Sequence, residues 1–178
     1  MTFTPFPEIV TPRLVLREPR MEDWTVISYL RSDKEVNRFV NRSCAGTREK
    51  AIEFIQKCLD DINRDKLINW FICLKEDRRM IGTICLWNIS KDRKTAEIGY
   101  DLHTTFHGFG LMNEAMKAVL KYGFDEMNLQ LIEAFTHELN TRSLNLLNRN
   151  NFKWNKDRVD TENDDNVIYE LKTSDFIR

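Results

Sequence analysis

Apolar residues recur along this chain at two intervals, and the switches between them mark its elements. Leu14 and Leu16 alternate with Val15 and Arg17 in Thr11 to Arg17, which predicts a strand with one buried face. From Met21 to Arg31 the spacing of Trp24, Ile27 and Leu30 is helical, and Ala51, Ile55, Leu59 and Ile62 repeat it over residues 47–64. Three short apolar or β-branched runs follow at 68–74, 80–88 and 95–102, separated by the charged segments K-E-D-R-R and S-K-D-R-K, as in an antiparallel meander. After His107-Gly108-Phe109-Gly110 comes the longest helical stripe, with Met112, Ala115, Met116, Val119, Leu120 and Met127 on one side. Residues 131–137 return to strand patterning. Residues 141–150 form a short helix in which Asn140 is placed to cap the first turn and Asn150-Asn151 to end it. A last strand, 167–171, follows the polar stretch D-T-E-N-D-D-N, which suits a loop or hairpin turn.

The resulting order, β-α-α-β-β-β-α-β-α-β-β, describes a mixed α/β (α+β) domain with helices packed on a largely antiparallel sheet. A chain of 178 residues can bury one sizeable core, so a single domain over 1–178 is expected. Lysine and arginine total 27 against 28 acidic residues, and a net charge of -1 offers no broad footprint for nucleic acid. Cys44, Cys58, Cys73 and Cys85 have no C-x-x-C spacing, and all but Cys44 lie in apolar-patterned segments, as buried reduced thiols do. The segment MTFTPFPEIVTPR lacks the apolar centre of a secretory signal, and no apolar run approaches membrane-spanning length. A cytoplasmic protein without membrane association is expected.

Candidate chemistry concentrates in A-E-I-G-Y-D-L-H-T-T-F-H-G-F-G-L-M-N-E-A, residues 96–115. A strand there runs through a glycine turn directly into a helix, whose first amides lack intrahelical partners and converge on one spot. Such a spot attracts anions, and Gly108 and Gly110 permit close approach of a phosphate. The nucleotide loop G-x-x-x-x-G-K-[ST] does not occur, and the dinucleotide pattern G-x-G-x-x-G fails where Asn113 takes its last glycine. A tight turn without a ligand is the bland alternative. His103 and His107 stand four apart, but no H-E-x-x-H or cysteine partners accompany them, so no metal is expected.

The same stretch resembles the acetyl-CoA signature Q/R-x-x-G-x-G/A of the GNAT superfamily of N-acetyltransferases, in the branch that includes ribosomal-protein N-terminal (alanine/serine) acetyltransferases. Around it, Ile81 to Ile89 is similar to I-G-x-I-x-L-x-N-I, Ala96 to Tyr100 matches A-E-I-G-Y, and Gly108, Gly110, Glu114 and Ala115 match x-G-x-G-x-x-x-E-A. Asn140, Ser143 and Phe152 fit a second block, and Thr11 to Arg17 fits T-x-R-L-x-L-R, so the resemblance spans nearly the whole chain. Four positions depart from it. His107 replaces Gln, Arg or Trp, Phe109 a commonly basic residue, Met112 a small one, and Asn151 a glycine that asparagine's tolerance of the left-handed conformation replaces. Met112 must turn its side chain away from the phosphates.

The resemblance implies a twisted sheet of about seven strands flanked by about four helices, with acetyl-CoA as co-substrate. It also implies that backbone amides of Gly108, Phe109, Gly110, Leu111, Met112 and Asn113 hold the pyrophosphate. The strand edge at Tyr100, Asp101 and Leu102 would pair with the pantetheine arm, Asn140 would bond it, and Ser143 would stand near the sulfur as proton donor to the thiolate. Tyr100 or Tyr169 are alternative acids, and Asn140 and Ser143 can equally be a cap and a polar first-turn residue. Glu97 is the candidate base, because an ammonium must lose a proton before it can attack. Facing away from its flanking Ala96 and Ile98, it can also be a solvated surface charge.

The activity expected is direct attack of a primary amine on the acetyl thioester within a ternary complex. Its acceptor is either a peptide N-terminus or a small molecule such as a polyamine or aminoglycoside, and the protein a monomer or homodimer. The rival is a noncatalytic CoA-binding regulatory or partner protein that keeps the fold. Trp24, Phe39, Trp70, Trp87 and Phe135 can wall an acceptor pocket, although core positions are the more usual place for such residues.

Overall fold

In a computed structural model, which describes residues 2–177, eight strands form one sheet in the order β1-β2-β3-β4-β5-β6-β8-β7. The first hairpin joins β1 (Ile9–Val10) to β2 (Leu14–Arg17). The meander is β3 (Ile68–Leu74), β4 (Met80–Trp87) and β5 (Thr95–Leu102). The far end holds β6 (Leu131–His137), β7 (Lys153–Trp154) and β8 (Asn166–Lys172). Every pairing is antiparallel except β5 with β6. The helices are α1 (Trp24–Leu30), α2 (Arg48–Asn63), α3 (Leu111–Asp125) and α4 (Thr141–Arg149).

Alternation along β3 sorts the core into two layers. Trp70 and Ile72 face α3 among Ile84, Leu86, Ala96, Ile98, Ala115, Met116 and Val119. Phe71 and Cys73 face α1 and α2, meeting Ile27, Leu30, Ala51 and Ile55. The sheet is thus covered by helices on both faces, and each fully buried Leu, Ile or Phe contributes roughly 1.5–3 kcal/mol. The Thr47 hydroxyl caps α2 by accepting the Lys50 amide at 3.4 Å. At the end of α4, Asn151 takes φ +62°, so asparagine does serve in the left-handed position. Among the described residues no helix is long and apolar enough to cross a membrane.

Three expectations need correction. Residues 11–13 form a turn rather than strand, because the Thr11 amide and hydroxyl both donate to the Leu14 carbonyl. Strand β2 is buried on both faces, Val15 and Arg17 included. Arg17 can be inside because Asp23 accepts both of its Nη atoms, at 2.8 and 2.7 Å, which offsets the desolvation of each charge. The helix expected from Met21 begins as a 3-10 turn over Met21–Asp23 and becomes α-helical only at Trp24, since Asp23 reaches back to the Arg20 amide.

Candidate active site at the fork between β5 and β6

Strands β5 and β6 run parallel for three pairs, Thr95 with Leu131, Ala96 with Ile132 and Glu97 with Glu133, and no further. Beyond Glu97, β6 stays paired with β8 and β5 stays paired with β4, so the two strands diverge. The His103 amide donates to the Ile81 carbonyl at 2.8 Å, which sets the antiparallel alternation. Glu97, Gly99 and Asp101 therefore turn their backbone groups toward β4, while Ile98, Tyr100 and Leu102 turn theirs into the fork. This corrects the expectation for Asp101, whose main chain is committed to the sheet. Tyr100 and Leu102 do lie on the open edge. The Leu102 carbonyl is 2.9 Å from His107 Nε2, which must carry a proton to satisfy it.

Above the fork, a 3-10 turn over Thr104–Phe106 leads into the glycine loop. Gly108 has φ +84° and Gly110 +73°, conformations that only glycine adopts without strain, and Gly110 occupies the N-cap of α3 with no side-chain cap bond. The next amides, at Leu111, Met112 and Asn113, lie in the first turn of the helix, where no intrahelical carbonyl reaches them. Leu111 and Met112 bury their side chains in the core, so Met112 does turn inward, as its place in the loop requires. Asn113 Oδ1 accepts from Asn150 Nδ2 at 2.9 Å, tying the start of α3 to the end of α4. Phe109 is 65% exposed.

On the α3 face of β5, the Tyr100 hydroxyl is 2.7 Å from that of Ser143, in the first turn of α4. Asn140 caps this helix, its Oδ1 accepting the Ser143 amide at 3.2 Å. Burial pushes the Tyr100 phenol up to about 12, against the opposing bond from Ser143. Tyr169 is buried in the same layer and pairs across the sheet with Ala134. Asn140, Ser143 and Tyr100 thus form one cluster.

Glu97 lies on the opposite face and is not part of that cluster. Its Oε1 accepts from Asn88 Nδ2 at 2.5 Å. Burial chiefly, then the nearby carboxylates of Glu133, Asp160 and Glu162, raise its pKa above the usual glutamate value, while the Asn88 bond opposes them. It is therefore not a freely solvated charge. On the same face Asp101 accepts both Nη atoms of Arg42, at 2.6 and 3.1 Å, and Arg42 also holds Asn37 Oδ1 and the Leu30 carbonyl. Phe39 packs on His137 with ring centroids 5.0 Å apart, so residues 31–46 overlie this side of the fork. Trp70 is core, as expected, but Trp87 is 46% exposed beside Glu97, and Trp24, Phe39 and Phe135 are half-buried. Trp87 is the last residue of β4.

His103 stacks on Tyr29 at 3.9 Å, and His107 Nδ1 is 3.2 Å from Arg142, which also bonds Glu35. Burial pushes the Cys58 and Cys85 thiols up to about 11 and 12, so both are poor nucleophiles at neutral pH. Cys44 is exposed. Arg42 and Arg142 carry no sequence signal, and Arg13 only a motif match, because their carboxylate partners Asp101, Glu35 and Glu114 lie 59, 107 and 101 positions away. Glu114 was a motif match without a role, and it proves to bind the first hairpin: its Oε1 accepts the Thr11 hydroxyl at 2.6 Å and the Arg13 amide at 2.9 Å.

Residues 13–153 match the acetyltransferase (GNAT) domain family. An uncharacterized N-acetyltransferase of Bacillus licheniformis, p20, is 36% identical over 146 residues, 82% of each chain. The structure of a ribosomal-protein-S5-alanine acetyltransferase from Vibrio fischeri superimposes with TM-score 0.79 at 19% identity, over 97% of this chain and 100% of that one. The microcin C7 self-immunity acetyltransferase MccE, solved with acetyl-CoA and AMP, gives 0.75 at 20% identity, over 91% and 93%.

Proposed function

The chain belongs to the GNAT acetyltransferase family, and from that premise we propose that it transfers the acetyl group of acetyl-CoA to a primary amine. The fork between β5 and β6 carries this reading. It offers the backbone groups of Tyr100 and the amide of Leu102 to an extended amide-bearing arm, and its open end leads to the unpaired amides of Leu111 to Asn113. With the phosphates at the helix start and the arm along β5, the thioester lies within the fork, between Ser143 on one face and Glu97 on the other.

Acetyl transfer then needs three proton movements: two from the nitrogen and one to the sulfur. Glu97 accepts a proton from the acceptor ammonium, directly or through a water, and its raised pKa makes it a better base than an ordinary glutamate. The freed nitrogen lone pair forms the C–N bond at the thioester carbonyl. As the carbonyl re-forms, the C–S bond breaks, the nitrogen gives up its second proton, and the sulfur takes one from the Ser143 hydroxyl. The nitrogen's second proton restores the Ser143–Tyr100 pair, so the one net proton released is that on Glu97. No covalent enzyme intermediate forms. Glu97 reaches the acceptor from the face lined by Trp87, Asp101 and residues 31–46, where the exposed Trp87 ring offers a surface to the ammonium of a peptide N-terminus or a small molecule.

The test is release of CoA thiol from acetyl-CoA across a panel of amines and N-terminal peptides, beside calorimetric titration of CoA. Turnover on an acceptor is the expected result. CoA binding without turnover on any acceptor supports a noncatalytic CoA-binding protein instead, and failure to bind CoA overturns both.

A further inference from the structure

The glycine loop that the functional reading assigns to the CoA pyrophosphate carries no lysine or arginine. Phe109 stands at its tip, and its two histidines are engaged, His103 by Tyr29 and Thr105, His107 by Leu102 and Arg142. Helix-start amides supply only partial charge, whereas a pyrophosphate bears full negative charges. A cation is nevertheless present, delivered by the first hairpin from far away in the sequence. The Arg13 guanidinium reaches the loop, where Nη1 donates to the Phe109 carbonyl at 2.9 Å and Nε to Glu114 Oε2 at 2.7 Å.

Resting on that functional reading, we propose that Arg13 is a CoA-binding residue whose Nη2 takes a phosphate oxygen beside the amides that follow Gly110. Three observations support it. Nη2 takes part in neither bond that anchors the guanidinium, and the side chain is half exposed, so this edge faces outward. A Cβ built on Gly110 would lie 3.8 Å from Nη2, so the guanidinium overhangs the residue that precedes the free amides. Both oxygens of Glu114 are occupied from the hairpin side, by the Thr11 hydroxyl, the Arg13 amide and Arg13 Nε. Its charge therefore fixes the guanidinium without standing between it and an approaching anion. A fork held at two nitrogens is preorganised and loses little freedom when the third binds.

The arrangement also gives Glu114 a function: it is a positioning residue that acts through Arg13. Burial disfavours its ionised form, but the bonds from Thr11 and Arg13 prevail and hold its pKa below the usual glutamate value. The guanidinium therefore stays anchored throughout the neutral range.

CoA titrated calorimetrically into the wild type, Arg13→Ala and Arg13→Lys at low and high salt tests the assignment, with melting temperatures beside it. Loss of a charged phosphate contact should weaken CoA roughly tenfold in Arg13→Ala and about threefold in Arg13→Lys, which keeps the charge but not the fork. The difference between wild type and Arg13→Ala should narrow at high salt, because a solvent-facing charge is screened. Wild-type affinity in Arg13→Ala, or a loss of the same size at both salt concentrations, overturns the assignment and leaves Arg13 a structural brace. If Arg13→Ala does not fold, Arg13→Lys decides by the same two criteria. A wild type that does not bind CoA overturns the functional reading itself, an outcome distinct from the failure of Arg13 alone.

Discussion

The two faces of β5 differ in what they ask of the chain. On the α3 side, Ala96, Ile98 and Leu102 are packed into the core, and the groups left for a ligand are mainly main-chain ones at Tyr100, Leu102 and the start of α3. On the other side Glu97 and Asp101 present charged side chains, fitted to Asn88 and Arg42. A site built from backbone tolerates changes of side chain, which is why His107, Phe109 and Met112 can depart from the family pattern while the loop keeps its two left-handed glycines. A site built from side chains depends on each one. On the proposed function, the half of the fork that takes CoA should therefore yield most to changes of backbone conformation, with Arg13 its one side-chain phosphate contact, and the half that takes the acceptor should yield to single side-chain changes.

The largest effect should come from forcing the backbone. Gly110→Val places a β-branched side chain at φ +73°, and CoA affinity should fall by about a hundredfold or more in calorimetry, through strain at the helix start. Wild-type affinity in this variant would break the distinction, since the loop would then not depend on glycine.

Glu97→Gln comes next. Turnover should fall roughly a hundredfold or more, with CoA affinity unchanged. The rising limb of the wild-type pH–kcat/KM profile should sit above the ordinary glutamate range and vanish in the variant. Stability should move the other way. A carboxylate whose folded pKa lies above its unfolded value binds its proton more tightly when folded, so it destabilises the fold above the folded pKa. Glu97→Gln should therefore melt slightly higher than wild type at pH 7 and lose that advantage as pH falls below the unfolded value. A pH profile identical to wild type would remove Glu97 as base.

The smallest effect belongs to Arg42→Ala. Releasing residues 31–46 from Asp101 should raise the acceptor KM roughly threefold to tenfold and leave the KM of acetyl-CoA unchanged. Equal changes in both would show that the two halves are coupled rather than separate.

Local pattern was enough to place the elements. The four helices, the meander and β6 stand within a few residues of their expected bounds, because burying an apolar stripe needs the same spacing whatever it packs against. Glycine turns were legible too, since Gly108 and Gly110 are among the few residues that accept their backbone angles. The short strands β1 and β7, two residues each, carry no period: the element order implies a strand before the last one without bounds for it, β1 is absent from it, and β7 and β1 take their bounds from pairing with β8 and β2. Around the site, the residue types at Glu97, Tyr100, Asn140 and Ser143 could be read from the chain. Strand alternation also put Glu97 on the face away from Ala96 and Ile98. That Tyr100 meets Ser143, and that Asp101 points its backbone into the sheet, could not be read. Nor could the bonds of Arg13 to Glu114 and of Arg42 to Asp101, which join residues 101 and 59 positions apart. Periodicity is a property of neighbours along the chain and survives in the sequence alone. The partner of a charged side chain is whichever group the packed core brings within about 3 Å, and only the tertiary structure makes that choice.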